Sequence, residues 1–366
     1  MATYNLAKNT VARFNEFMNS PQYHKTSRYA KSDYWEYHAS QIKVEITNST
    51  VNVEGISGYY VPPVKNAAAG IKNKAATAIH NPGAVVTFLA NKYNRARAGN
   101  QIQLLDYFRA FDAVMAQEPT ADIEPGRYRI DFKALAGNNN AVKSLAEMRR
   151  VFFARDKYQL NSSMVYAYYL ANIINGYVKE KPKTIMEIGA GNGNLASLLY
   201  HTFDSNIIIV DLAETLCLSI PHLASLFPNA KILMPHEIGS RGLDSADFVF
   251  LTPGQTGIIP ENSVDLSVCI GAFHEMTHQQ IKEYLELIQR VGRHNSLFLS
   301  NSRVEKIPST FPPKKDRDIP VNRFAEYPWN SNNKIIVYEI CKLLRLVNLD
   351  NVYLRLEQIK KHGHEK

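Results

Sequence analysis

Thr184-Ile185-Met186-Glu187-Ile188-Gly189-Ala190-Gly191-Asn192-Gly193-Asn194 decides the fold of this chain. A short apolar run carries a carboxylate near its end, breaks into glycines at alternate positions, and leads into a helical pattern over 195–200. Strand, tight turn and helix N-terminus in that order place backbone N–H groups around a small-molecule site. Glycine turns the chain at positive φ and lets a ligand approach the backbone without meeting a Cβ. A second strand-like run, Asn206-Ile207-Ile208-Ile209-Val210, ends in Asp211 and Leu212. An acid there can accept hydrogen bonds from both hydroxyls of a ribose. The pattern predicts a nucleoside-containing ligand across the ends of two parallel strands, on Glu187, Gly189, Ala190, Gly191, Asn192, Gly193, Asp211 and Leu212. The plainer alternative is an ordinary βα turn.

Downstream, β-rich runs at 231–234, 248–252, 264–270 and 295–300 alternate with helical patterns at 213–227 and 278–291. Such alternation implies a parallel sheet covered on both faces. Thr277-His278-Gln279-Gln280 is a capping-box start for the last of these helices. A long loop over 306–318, a helix over 334–346 and a strand over 351–356 complete the expectation. Upstream the pattern differs. Val11, Phe14, Phe17 and Met18 mark a short amphipathic helix, and 41–47 with 50–54 alternate as a hairpin. Between them Tyr23, Tyr29, Tyr34, Trp35 and Tyr37 interleave with Lys25, Arg28 and Lys31, which suits either stacking on sugars or bases or the apolar half of a small domain. A connector at 65–83 and helices at 104–115, 144–157 and 162–175 follow. The expected division is 1–160, a mostly helical accessory or substrate domain with a β-hairpin, and 161–366, a Rossmann-like α/β domain.

With 366 residues, two domains are the natural prior. No apolar run approaches the roughly 20 residues of a membrane-spanning helix, and the N-terminus shows no basic-then-apolar signal pattern. Three widely separated cysteines in apolar contexts, Cys217, Cys269 and Cys341, predict buried free thiols in a reducing, cytoplasmic setting. The +8 net charge favours anionic partners. No run of five or more basic residues accompanies it, so charge alone does not support nucleic-acid binding.

A dinucleotide fingerprint would need a glycine at position 194, where Asn194 stands. The spacing found, E-x-G-x-G-x-G, resembles motif I of the class I S-adenosylmethionine-dependent methyltransferases. That resemblance implies a seven-stranded methyltransferase sheet with S-adenosylmethionine as cofactor, leaving as S-adenosylhomocysteine. Ligands of open α/β sheets bind at the carboxyl ends of the strands, and the strand 264–270 delivers Gly271-Ala272-Phe273-His274-Glu275-Met276 to that edge. Methyl transfer to a hydroxyl is an in-line displacement in which the alcohol proton must leave. Neutral histidine suits that task. The pair resembles that of small-molecule O-methyltransferases, which implies His274 as base and Glu275 as its acidic neighbour. The match departs from the plant-type version, which has aromatic residues where Ala272 and Met276 stand. His274 could instead cap the following helix or hydrogen-bond in a buried turn.

Phe227-Pro228-Asn229-Ala230-Lys231, the run 248–253, Ile259-Pro260-Glu261-Asn262-Ser263-Val264-Asp265-Leu266 and Phe273-His274-Glu275-Met276 together resemble the sugar O-methyltransferases of bacterial cell-surface polysaccharide pathways. The resemblance implies a sugar or glycan hydroxyl as acceptor, free or nucleotide- or lipid-linked. Further acceptor-side candidates are Arg149, Arg150 and Arg155, then Asn301, Ser302 and Arg303, then Arg323, Glu326, Tyr327 and Trp329. Glu237 and the turn at 252–255 are candidates for the adenine. No Asp-Asp pair follows a core strand, so no metal is expected. A nucleic-acid methyltransferase and a non-catalytic cofactor-binding scaffold are the competing readings, and a homo-oligomer is compatible with the sequence.

Overall fold

The structure, a computed structural model, describes residues 2–24, 33–54, 162–239, 242–307, 321–346 and 352–361. The connector at 65–83, the helices at 104–115 and 144–157 with their three arginines, the boundary near 160 and most of the 306–318 loop lie outside these residues.

The chain enters on strand β1 (Ala2–Asn5) and helix α1 (Lys8–Met18), then short helices α2 (Pro21–His24) and α3 (Asp33–Ala39), and strands β2 (Lys43–Ile46) and β3 (Thr50–Glu54). The expected hairpin is present, and β1 adds to it to give the order β1-β3-β2. After helix α4 (Ser162–Tyr177) come β4 (Thr184–Ile188), α5 (Asn194–Phe203), β5 (Asn206–Val210), α6 (Ala213–Leu226), β6 (Ile232–Leu233), β7 (Phe248–Leu251), β8 (Val264–Ile270), α7 (His278–Val291) and β9 (Gly292–Arg303). A small pair, β10 (Glu305–Lys306) and β11 (Asn322–Arg323), precedes β12 (Lys334–Ile340), α8 (Lys342–Leu346) and β13 (Val352–Gln358).

The main sheet has eight strands in the order β12-β13-β9-β8-β4-β5-β7-β6. From β6 to β9 neighbouring strands are parallel, and β13 runs antiparallel to both β9 and β12. This is the expected α/β class with a mostly parallel central sheet. β5 is apolar from Ile207 to Val210 because both faces of the sheet are covered there: Ile207 and Ile209 join one core cluster, Ile208 the other.

One expectation fails. The segment expected as a helix over 334–346 is strand β12 as far as Ile340, with helix only over Lys342–Leu346. Ile335, Ile336, Val337, Tyr338 and Ile340 are β-branched or aromatic residues that suit a pleated, half-buried surface. A register shift between Ile335 and Val337 breaks the simple alternation that would have revealed the strand. The sheet therefore has one strand more than the seven expected.

The described N-terminal elements share the main core. Val11, Phe14 and Phe17 of α1, with Val51 and Val53 of β3, belong to the same buried cluster as Leu216, Cys217 and Ile220 of α6. Tyr4 meets His222 edge-on at 6.2 Å. Arg13 fastens the arm: Nε and one terminal nitrogen donate to the two oxygens of Glu237, each at 2.6 Å, and that nitrogen also donates to the Ile232 carbonyl at 2.5 Å. Arg13→Ala leaves Glu237 without its cation in a part-buried site, an expected cost of about 2 kcal/mol. Arg13→Lys recovers little, since one ammonium cannot reproduce the two-pronged contact. Thermal melting checks both, and a lysine variant as stable as the wild type would contradict the geometric account.

The three cysteines are buried and free, as expected. Among the described residues no helix is long and apolar enough to cross a membrane.

Candidate active site

Register brings the decisive stretch to one edge. Ile188 of β4 pairs with Val210 of β5 on one side and Cys269 of β8 on the other. The turns after these strands therefore emerge together. Gly189 N–H donates to the Val210 carbonyl at 2.9 Å, and Gly271 N–H to the Asn301 carbonyl at 2.7 Å. Gly189 and Gly193 have φ of +72° and +81°, a region costly for residues with a Cβ. Packing adds a second reason. A Cβ on Gly189 would lie 2.4 Å from the Ala272 Cβ, and one on Gly193 would lie 3.0 Å from Leu223 Cδ1. Gly189 is thus required for β4 and β8 to present their turns side by side, as well as for any ligand's approach.

Beneath this turn lie two buried carboxylates. Asp211 is 7% exposed; its Oδ2 accepts the Gly191 N–H at 3.0 Å and its Oδ1 the Leu212 N–H at 2.8 Å. Each oxygen keeps a lone pair for a ligand hydroxyl. Glu187 is 3% exposed, and its Oε2 has no hydrogen-bond partner. Burial first, and the neighbouring Asp211 charge second, push the Glu187 carboxyl up to about 8; the Ala196 N–H offsets part of this. Asp211 is pushed up to about 7, mainly by burial, against the help of its two backbone donors. Two acids forced toward neutrality side by side suit a ligand that brings positive charge.

Above Asp211 a cleft opens at the carboxyl ends of the parallel strands, where ligands of open α/β sheets bind. Of the residues expected to bind the ligand, Gly189, Gly191, Asp211 and Leu212 form its wall, and so does Glu275. Glu187, Ala190, Asn192 and Gly193 are not on it, Glu187 being buried next to wall residue Ile188. Ala190 packs against the core, and Asn192 Oδ1 accepts the Asn194 N–H at 3.3 Å, at the start of α5. Sequence reasoning missed Thr215, Gln280 and Tyr284 on the wall, while Pro253 belongs to the turn at 252–255 that it had offered for the adenine. It noticed Trp35 only within an aromatic-rich run. Thr215 follows Asp211 by one helical turn, the single local signal available.

His274 lies behind the wall. It is 8% exposed, with Nδ1 3.4 Å from Ser302 Oγ and Nε2 3.8 Å from Glu275 Oε1. Burial, then the charges of Lys306 and Arg303, lower it to about 3, so the ring is neutral at pH 7. Asn322 Nδ2 donates to the Phe273 and Met276 carbonyls at 3.3 and 3.2 Å and ties this turn to β11.

The other candidates are engaged elsewhere. Glu237 is held by Arg13 and the Met234 N–H. Gln255 caps Thr252 and donates to the Pro235 carbonyl, leaving Pro253 as the cleft contact of that turn. Arg323 pairs with Glu305 at 2.6 Å and with Glu326 at 3.2 Å. Tyr327 is buried among Phe273, Phe324 and Trp329. Trp329 donates to the Phe324 carbonyl at 3.0 Å and carries the Arg355 guanidinium 4.4 Å from its ring centre. One face of its ring is thus covered by Arg355, and the ring as a whole is half-buried. Asn301 bonds Tyr166 and the Tyr353 carbonyl. Among the described residues no group of three or more His, Cys, Asp or Glu is placed to hold a metal ion.

No family model matches the chain, and no curated protein does. Solved structures with partial likeness include three methyltransferases. An S-adenosylmethionine-dependent enzyme from Methanosarcina mazei is 12% identical over 51% of this chain and 97% of its own, with a TM-score of 0.38. The 1,6-didemethyltoxoflavin-N1-methyltransferase of Burkholderia thailandensis, bound to 1,6-didemethyltoxoflavin and S-adenosylhomocysteine, is 12% identical over 59% of this chain and 87% of its own, with a TM-score of 0.37. Phosphoethanolamine N-methyltransferase 1 of Haemonchus contortus, with phosphoethanolamine and S-adenosylhomocysteine, is 13% identical over 73% of this chain and 51% of its own, with a TM-score of 0.33. At these scores the weight rests on the strand order and the site itself.

Proposed function

We propose that this chain is an S-adenosylmethionine-dependent O-methyltransferase acting on a sugar or glycan hydroxyl. One observation carries the cofactor assignment: the buried Glu187 carboxylate, with an unpartnered oxygen, beside Asp211 under a cleft at the strand ends. S-adenosylmethionine supplies an electrophilic methyl on a cationic sulfur, together with an ammonium and a ribose. Asp211 would accept the ribose hydroxyls, and Glu187 would face the ligand's positive charge. The E-x-G-x-G-x-G spacing and the Phe-His-Glu-Met loop support the same assignment. The sugar acceptor rests on the wider sequence resemblance.

The hydroxyl proton falls to the His274–Glu275 pair. Glu275 is the member on the cleft wall, and His274 stands behind it with Nε2 3.8 Å away. A ring held near 3 is a weak base. The geometry therefore favours Glu275 as the group meeting the acceptor, with His274 positioning it.

Calorimetry with S-adenosylhomocysteine tests the cofactor half, and absence of binding at millimolar ligand would refute it. For the second half, Glu275→Gln is expected to lower kcat by about a hundredfold or more while cofactor affinity stays within a few-fold. His274→Ala should lower kcat less than Glu275→Gln does. Full turnover on cell-envelope sugar acceptors by both variants would remove the pair from the mechanism.

A further inference from the structure

One contributor to the cleft comes from far away in sequence. Trp35, on α3, forms part of the same wall as Gly189, Gly191, Asp211, Thr215 and Glu275. Nothing in the strand, turn and helix pattern of the α/β unit asks for a residue from the N-terminal arm.

Its position is tied by hydrogen bonds and strand pairing to elements of the main core. α3 passes straight into β2, with the Gln41 N–H donating to the His38 carbonyl and the Ile42 N–H to the Ala39 carbonyl, both at 3.0 Å. β2 pairs with β3, whose Val51 and Val53 sit in the main core. The same arm is clamped to the end of β6 by Arg13. The sheet thus delivers an indole to the cleft from outside the α/β unit. The ring is half-buried, with His38 edge-on at 6.0 Å, so it still has surface to cover.

We propose that Trp35 is a cofactor-binding residue supplied by the N-terminal arm, its indole lying against the bound cofactor and excluding water from the cleft. The proposal rests on the assignment of this cleft to S-adenosylmethionine. An indole suits that ligand on two counts. It stacks on a flat purine, and its face attracts a cation such as sulfonium. The arm is accordingly part of the active site, and cofactor binding is coupled to its docking.

The chain has two tryptophans, so a Trp329→Phe variant isolates Trp35 as the reporter. Titration with S-adenosylhomocysteine is expected to change its emission along the same curve that calorimetry gives. Trp35→Ala should weaken Kd by about tenfold, the scale of a lost aromatic stack, and Trp35→Phe should recover most of the loss. A Trp329→Phe protein that binds in the calorimeter without an emission change overturns the role of Trp35, as does a Trp35→Ala protein with wild-type Kd. Either result leaves the cofactor assignment standing. Absence of calorimetric binding by the wild type refutes that assignment, and Trp35's role with it.

Discussion

Gly189→Ala is expected to destabilise the protein by about 2–5 kcal/mol and to abolish measurable S-adenosylhomocysteine binding. A left-handed backbone conformation costs an alanine roughly 1–2 kcal/mol, and at φ +72° Gly189 is in that region. The new Cβ would also sit 2.4 Å from the Ala272 Cβ, well inside the roughly 3.5–4.0 Å of carbon contact, and overpacking of this kind costs about 1–3 kcal/mol. Since Ala272 leads into the His274–Glu275 turn, relief of the clash moves one side of the cleft against the other. Ala272→Gly removes the colliding atom. The double variant should regain the packing share and keep the conformational share, which gives a coupling of about 1–3 kcal/mol in a double-mutant cycle. Chemical denaturation reads all four corners. A single variant as stable as the wild type would show that the two turns do not pack as described.

The second large effect is a pH dependence that changes sign with the ligand. Glu187 and Asp211 rise from ordinary values of 4.5 and 3.8 in the unfolded chain to about 8 and about 7 in the folded one. Between roughly pH 4 and pH 8 the folded state therefore binds more protons than the unfolded state, and stability falls as pH rises. Glu187 alone accounts for something on the order of 3–5 kcal/mol across that window. The cofactor-free protein should melt several degrees lower at pH 8.5 than at pH 5.5. Glu187→Gln should flatten the profile, melting above the wild type at pH 8.5 while binding cofactor poorly. Because the ligand's ammonium and ribose hydroxyls donate best to ionised acids, wild-type affinity for S-adenosylhomocysteine should rise between pH 6 and pH 8.5, with protons released on binding. Calorimetry in buffers of different ionisation enthalpy counts them. Proton uptake, or a melting temperature that climbs with pH while Glu187→Gln changes nothing, would place the two carboxylates elsewhere.

How far the site was legible depends on the distance over which each feature is specified. Glu187, Gly189, Gly191 and Asp211 belong to two strands and the turns that follow them, and parallel pairing of neighbouring strands was enough to bring them together. Glu275 was placed correctly on the edge because the capping box at Thr277 marks where β8 has ended and α7 begins; Thr277 Oγ1 does accept the Gln280 N–H, at 3.3 Å. β12 was misread because its register shift mimics helical spacing at the point where apolar residues crowd. The pairing of Trp329 with Arg355 joins residues far apart in the chain and was not legible in either segment.

By itself, then, the sequence determined the α/β alternation, the glycine turn and the acids beneath it. These depend on local φ preferences, hydrophobic period and strand order, all written in short windows. Tertiary structure alone decided which side of the Phe273–Glu275 turn meets the cleft, so that Glu275 faces it and His274 is buried behind it. It also decided that Gly189 answers to Ala272, and that Trp35 closes on a site whose other residues lie far along the chain. Those outcomes depend on how separate segments fill one volume, and no single window carries that information.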